Sequence, residues 1–252
     1  MFMDEGHPGY ENQPDPNDTV WRYLDLPRFI SVIQTRQLYF SQSSMMKDKW
    51  EGAVAGHDVH ARVDARLMSM FNARQTHYLN CWYVSKFESA GMWDLYQHGS
   101  QGVAIRSTWG RLTDSITSQY PIHGGLVKYI DYDKRAFNMV QNVGTSFMYK
   151  RRQFDHEREA RLVLWSDDSG GPSLWARTQD QSAMVRVDKT DPPGYGIDVD
   201  LSILVDALVV APDAPPWYLS LIKGLVGQFG HDFQILPSEL DQTPIGASVG
   251  RS

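Results

Sequence analysis

The feature that most narrows the fold is the start of the ordered body, "TVWRYLDLPRFISVIQTRQLYFS", Thr19 to Ser41. Val20 to Leu24 reads as a short strand. Asp25 then caps a helix whose first turn tolerates Pro27 and whose apolar face is Leu26, Phe29, Ile30 and Ile33. Leu38 to Ser41 is the next strand. Strand, helix and strand therefore fit within about 22 residues, a short crossover for a parallel pair.

Beyond it, Val59, Val63, Leu67, Met70 and Phe71 recur at helical spacing between His57 and Gln75. A buried strand from Tyr78 to Ser85, a helix near Gly91 to Gln97 and a strand over Val103 to Ile105 follow. A helix over Ser107 to Ser118, a strand across Leu126 to Tyr132 and a long helical segment from Lys134 to Phe154, weakened by Gly144, come next. Strands near Ala183 to Val187 and Gly196 to Val199 precede a last group: strand Ala207 to Val210, helix Trp217 to Phe229 and strand Phe233 to Leu236. Strands and helices without strict alternation predict an α+β fold with a mixed sheet flanked by helices. We expect one domain over residues 19–240, between flexible tails at 1–18 and 241–252, which lack any hydrophobic period.

Composition removes several function classes. Lys plus Arg number 24 against 30 Asp plus Glu, a formal charge of −6, which disfavours broad duplex binding. Cys81 is the single cysteine, so an intrachain disulfide and a cysteine-based zinc site are excluded. No run of about 18 apolar residues and no basic-then-apolar leader is present, which makes a cytoplasmic protein without membrane contact the expectation.

The densest charge lies in "FDHEREARLVLW", Phe154 to Trp165. Read as a strand, it puts Glu157, Glu159 and Arg161 on one face and Ala160, Leu162 and Leu164 on the other. Such a face is either a solvated edge with an ion pair or one wall of a cleft. "MKDKWEG" carries Asp48, Trp50 and Glu51 on a turn, with their roles open. Trp93 and Tyr96 share one side of a helical turn, as core or as a ligand platform. His57, His60 and Asp64 lack a second helix of ligands, so no metal is expected. Cys81 sits in apolar "LNCWYV" and reads as packed, and "YKRRQF", Tyr149 to Phe154, is the one dense basic patch.

Taken in order, these blocks resemble the domain of unknown function 2971 family. Its "YKY"-like strand is here "WRY", its "LYFS" is Leu38 to Ser41, and its "FNDPFEG" is "MKDKWEG", keeping Asp48, Glu51 and Gly52. "CxS…MWxxYxxxxxGVxI" is matched by Cys81, Ser85, Met92, Trp93, Tyr96, Gly102, Val103 and Ile105. "K…ExEYRL" is matched by Lys150, Glu157, Glu159, Arg161 and Leu162. Lys47, Lys49, Trp50 and Ala160 depart from the family pattern.

The pattern also looks like a distant relation of the ADP-ribosyltransferase fold, in which a small split sheet holds NAD as a substrate. That resemblance implies Arg22 or Tyr23 near the adenosine side, Tyr39 with Ser41 near nicotinamide, and Glu159 or Glu157 as the catalytic carboxylate. Trp93 or Tyr96 would stack on a ring, and Arg161 or Arg22 would hold the diphosphate. Breaking the nicotinamide–ribose bond develops positive charge, which a fixed carboxylate stabilises. The implied function is an NAD-using transferase, of the kind that serves as a bacterial toxin or defence effector, modifying a nucleic acid or a protein. Two other classes fit the same residues: a metal-dependent nuclease or nucleotide-cleaving effector built on Asp48, Glu51, Glu157 and Glu159, and a non-catalytic nucleotide-binding module.

Overall fold

The computed structural model describes residues 2–3, 12–52, 73–96, 101–132, 143–165, 175–177, 184–186 and 193–243. The strands are β1 (Thr19–Asp25), β2 (Gln37–Gln42), β3 (His77–Val84), β4 (Gly102–Thr108), β5 (Ile122–Leu126), β6 (Lys128–Ile130), β7 (Tyr149–Arg151), β8 (Glu159–Trp165), β9 (Trp175–Arg177), β10 (Met184–Arg186), β11 (Gly194–Asp198), β12 (Ala207–Val210) and β13 (Ile235–Pro237). The α-helices are α1 (Leu26–Thr35), α2 (Ala90–Tyr96), α3 (Trp109–Asp114), α4 (Leu201–Leu204) and α5 (Pro216–Gln228). The fold is α+β with a mixed, split sheet, as its sequence predicts, and its described parts fall into two compact units.

The first unit comprises Met1–Asp15, Gln37–Tyr83 and Ile116–Val199. Its sheet runs β11-β2-β3-β8-β5, and every neighbouring pair is antiparallel. β2 alternates: Leu38, Phe40 and Gln42 are buried, while Tyr39 and Ser41 share the other face. β3 and β8 lie inside the sheet and read as near-continuous apolar runs because both their faces are covered. β8 pairs with β3 on one side and β5 on the other, which removes the solvated-edge reading of its charges. β6 and β7 make a short parallel pair, and β9 and β10 an antiparallel one. Within the stretch read as an N-terminal tail, Asn12 accepts a hydrogen bond from Leu126 N at 2.7 Å.

The second unit comprises Pro16–Arg36, Val84–Ser115 and Asp200–Ser252, with strand order β1-β4-β12-β13. Only β12 and β13 run parallel, and the crossover between them is α5. Asp25 caps α1 by accepting from Arg28 N at 2.9 Å, and Phe29, Val32 and Ile33 form its buried stripe. α5 buries Tyr218, Ile222 and Val226, four residues apart, against its sheet.

Two expectations change. β1 and β2 do not form a parallel pair, since β1 pairs with β4 and β2 with β3 and β11. Where a long helix was expected up to Phe154, the described part is a 3-10 helix over Val143–Met148, strand β7 and a second 3-10 helix over Arg152–Glu157. The amphipathic stretch from His57 to Phe71 lies outside the described residues. No helix among the described residues is long and apolar enough to cross a membrane.

Candidate active site

Strand alternation puts Glu159 and Arg161 on one face of β8, as the sequence implies. Glu157 reaches the same place by another route. Arg158 adopts a left-handed conformation, with φ 39°, which ends the 3-10 helix and leaves Glu157 outside the strand. What joins Glu157 to the other two is Lys150, on β7. Its Nζ lies 2.7 Å from Glu159 Oε1, reaches Glu157 Oε2 as well, and stands 3.6 Å from Glu51 Oε1.

Arg161 is fully buried, and all five of its N–H groups are used. Nε and Nη2 donate to Glu159 Oε2 at 3.1 and 2.6 Å, Nη1 and Nη2 donate to the two oxygens of Glu51 at 2.8 and 3.2 Å, and Nη1 also donates to the Phe147 carbonyl. A buried guanidinium is tolerated only under such complete pairing. Glu51 arrives on the turn after Asp48. That turn closes at Gly52, whose φ of 74° suits glycine and where a Cβ would collide with the Phe147 ring. The Glu51-Gly52 pair is thereby explained: the glycine lets the turn close on Phe147, and the glutamate then meets Arg161. Asp48 is buried beside it and holds Arg151 through contacts of 2.8 and 3.1 Å.

Two cations, Lys150 and Arg161, thus face three carboxylates, Glu51, Glu157 and Glu159. Burial works against ionisation of Glu159, but Arg161, a hydrogen bond with Glu157 and Lys150 hold its carboxyl well below the usual carboxylate range. Glu157 is the carboxylate in excess. Burial, then its hydrogen bond and repulsion with Glu159, push it up to about 7, against the partial relief that Lys150 gives. Its side chain is also the most open of the three, 13% exposed against 6% for Glu159 and 2% for Glu51. Burial lowers the Lys150 ammonium, yet Glu159 and Glu51 outweigh it and hold the ammonium above its ordinary range. Tyr129 adds a backbone anchor, its hydroxyl accepting from Glu159 N at 2.9 Å.

The remaining predicted residues lie elsewhere. Tyr39 is 47% exposed on β2, next to half-buried Ser41. Arg22, Tyr23, Trp93 and Tyr96 belong to the second unit. There Tyr23 and Trp93 are interior, with rings 4.8 Å apart edge to face, and Trp93 Nε1 donates to Glu88 Oε2 at 2.8 Å. Arg22 and Tyr96 are half-buried. Cys81 sits directly opposite Arg161 across the β3–β8 pair and packs against Phe147 and its neighbours. His57, His60 and Asp64 lie outside the described residues. Among the described residues, no group of three or more His, Cys, Asp and Glu is arranged to hold a metal ion. Neither Lys150 nor Glu51 is among the residues that the ADP-ribosyltransferase resemblance implies; Lys150 was signalled by "YKRRQF" immediately before the glutamates, and Glu51 entered only as a carboxylate of the metal-dependent alternative.

No family model matches the chain, so the resemblance to the domain of unknown function 2971 family rests on the quoted blocks alone. No curated protein matches it either. Among solved structures, the chain is similar to Thermus sp. 2.9 DarT in complex with NAD+, at a TM-score of 0.42 and 6% identity, over 92% of this chain and 100% of that one. It is similar also to the same protein in complex with ADP-ribosylated single-stranded DNA, at 0.41 and 8% identity, over 91% and 97%.

Proposed function

We propose that the chain is an NAD-using transferase of the ADP-ribosyl type, with Glu157 as the group that takes the acceptor's proton and Glu159, Lys150 and Arg161 holding it in place. The observation that carries this reading is the split between two adjacent carboxylates on one lysine, Glu159 held ionised and Glu157 pushed up to about 7. Pairs whose surroundings separate their protonation in this way suit acid and base work at neutral pH. Cleavage of the nicotinamide–ribose bond leaves positive charge on the ribose and requires a proton to be taken from the incoming acceptor. Ionised Glu157 supplies both needs, since it is the most open of the three carboxylates and shares its cation, Lys150, with Glu159 and Glu51.

Glu159 is better suited to position than to chemistry, because Lys150 engages one of its oxygens and Arg161 the other. The same pairing bears on the metal-dependent nuclease reading: the oxygens that a divalent ion would take are engaged by side-chain cations. Acceptors consistent with the proposal are a nucleic acid or a protein.

The test is nicotinamide release from NAD, with single-stranded DNA, RNA and protein offered as acceptors. Wild type should show a rate that rises with pH around a midpoint near 7, the value to which Glu157 is pushed. Glu157→Gln should lower turnover about a hundredfold or more and flatten the profile, with folding intact. Absence of release with every acceptor, alongside a chelator-sensitive nuclease activity, would overturn the reading.

A further inference from the structure

A pocket of about 530 Å³ opens in the first unit, lined by Trp50, Ile130, Asp131, Tyr132, Arg151 and Arg152 among others. None of the five residues of the charge cluster lines it, but Asp48 bonds to two lining residues, the Trp50 backbone and the Arg151 guanidinium. We infer that this pocket is a binding site for a nucleoside phosphate, with the base stacked on Trp50 and the phosphate met by Arg152.

The volume is in the range of small-molecule sites. Trp50 is 43% exposed, an unusual cost for so large an apolar ring. Its backbone is nonetheless anchored, Trp50 N donating to Asp48 Oδ1 at 3.1 Å, and the indole packs 5.3 Å from the Tyr132 ring at a tilt of 60°, which limits its rotation. A restrained indole with a solvent-facing side is a stacking platform for a heterocycle, whatever the base.

The two arginines differ in what they can offer. Arg151 is spent on Asp48, with Nη2 at 2.8 Å and Nε at 3.1 Å, and lies 5.2 Å over the Phe154 ring. Arg152 is exposed and makes no ion pair among the described residues, so its guanidinium fork is the one open to a phosphate. The lining also contains Asp131, whose negative charge disfavours a bare anion over one carried on a base and sugar. Indole and guanidinium together match a base joined to a phosphate, and the pair is matched by neither group alone.

Equilibrium dialysis with labelled AMP, adenosine and inorganic phosphate tests this on the full chain. Because the readout is binding, its failure is separate from any failure of the transferase reading. Wild type should bind AMP more tightly than adenosine, and phosphate weakly. Trp50→Ala should weaken both AMP and adenosine about tenfold, with Trp50→Phe recovering part of the loss. Arg152→Gln should weaken AMP about tenfold and leave adenosine unchanged. Both positions are exposed, so circular dichroism should report native folds for all variants. The inference is overturned by AMP binding that neither substitution changes, by phosphate binding as tight as AMP, or by no binding at millimolar AMP.

Discussion

The polar heart of the first unit is ionic, whereas that of the second is nearly all neutral. Around Arg161, five buried or half-buried charged side chains satisfy one another. Around Trp93, the single carboxylate of Glu88 receives neutral donors: the Trp93 indole, the Ser238 hydroxyl at 2.7 Å and the Glu239 backbone N–H. Tyr23 completes that corner, its hydroxyl accepting from Ser89 N at 2.9 Å. The neutral corner can lose one donor and leave Glu88 with the others. The ionic cluster cannot, because removal of Arg161, Lys150, Glu51 or Glu159 leaves another member buried without its counter-charge; Glu157, the carboxylate in excess, is the exception. The contrast also separates two uses of polar groups: one fixes packing, and the other keeps an unbalanced carboxylate near neutrality.

If that contrast is right, Arg161→Met has the largest effect. It strands Glu51 and Glu159, and denaturant titration at pH 8 should show a loss of about 3–5 kcal/mol. A loss no greater than that of Trp93→Phe would erase the distinction between the two hearts.

Next comes acid sensitivity from His77, stacked 4.6 Å from Phe147 and 5.8 Å from Trp165. Burial lowers its imidazole from 6.5 to about 4, although a hydrogen bond to the Ala73 carbonyl opposes the shift. The folded state resists protonation, so stability present above about 6.5 should fall by about 3 kcal/mol as the pH drops towards 4. His77→Phe should remove that slope in melts across the range. Trp93→Phe follows, costing about 2 kcal/mol through one lost hydrogen bond to a carboxylate, with no new pH dependence.

Glu157→Gln has the opposite sign and the smallest effect, because its carboxyl is the most open of the cluster, so solvent screens its repulsion, and Lys150 offsets part of the gain. The Glu157 pKa is raised on folding, so its contribution is fully present below 4.5 and is lost as the pH rises through about 7. The glutamine variant should therefore be slightly more stable than wild type at pH 8, and equal to it near pH 4. A less stable variant at pH 8 would show that Lys150 needs Glu157 as a counter-ion.

Much of this was legible in the residues. The alternation through Ala160 predicted the shared face of Glu159 and Arg161, the cap at Asp25 predicted α1, and the apolar run after Tyr78 predicted β3. The site was less legible, for two physical reasons. Arg158 is not a residue that announces a left-handed turn, so Glu157 was read as a strand neighbour of Glu159 and not as a partner of Lys150. Charged side chains are also rarely buried, so nothing in the basic patch "YKRRQF" marks Lys150 as an interior residue. Only the fold shows that β8 is internal, and with that position its charges needed partners from β7 and from the Asp48 turn.

The pairing of β2 with β11 carries a consequence for biosynthesis. Ser41 meets Gly194 in register, so more than 150 residues separate the two strands in the chain. At about 5–20 residues per second, a ribosome needs roughly ten to thirty seconds to deliver the partner. Through that interval the outer edge of β2 presents unsatisfied amides and carbonyls, and the nascent chain is open to mispairing with other strands. The pairing with the longest wait is the one that covers the edge of β2 and passes the border to the short strand β11, which makes β2 a segment where a chaperone's protection counts.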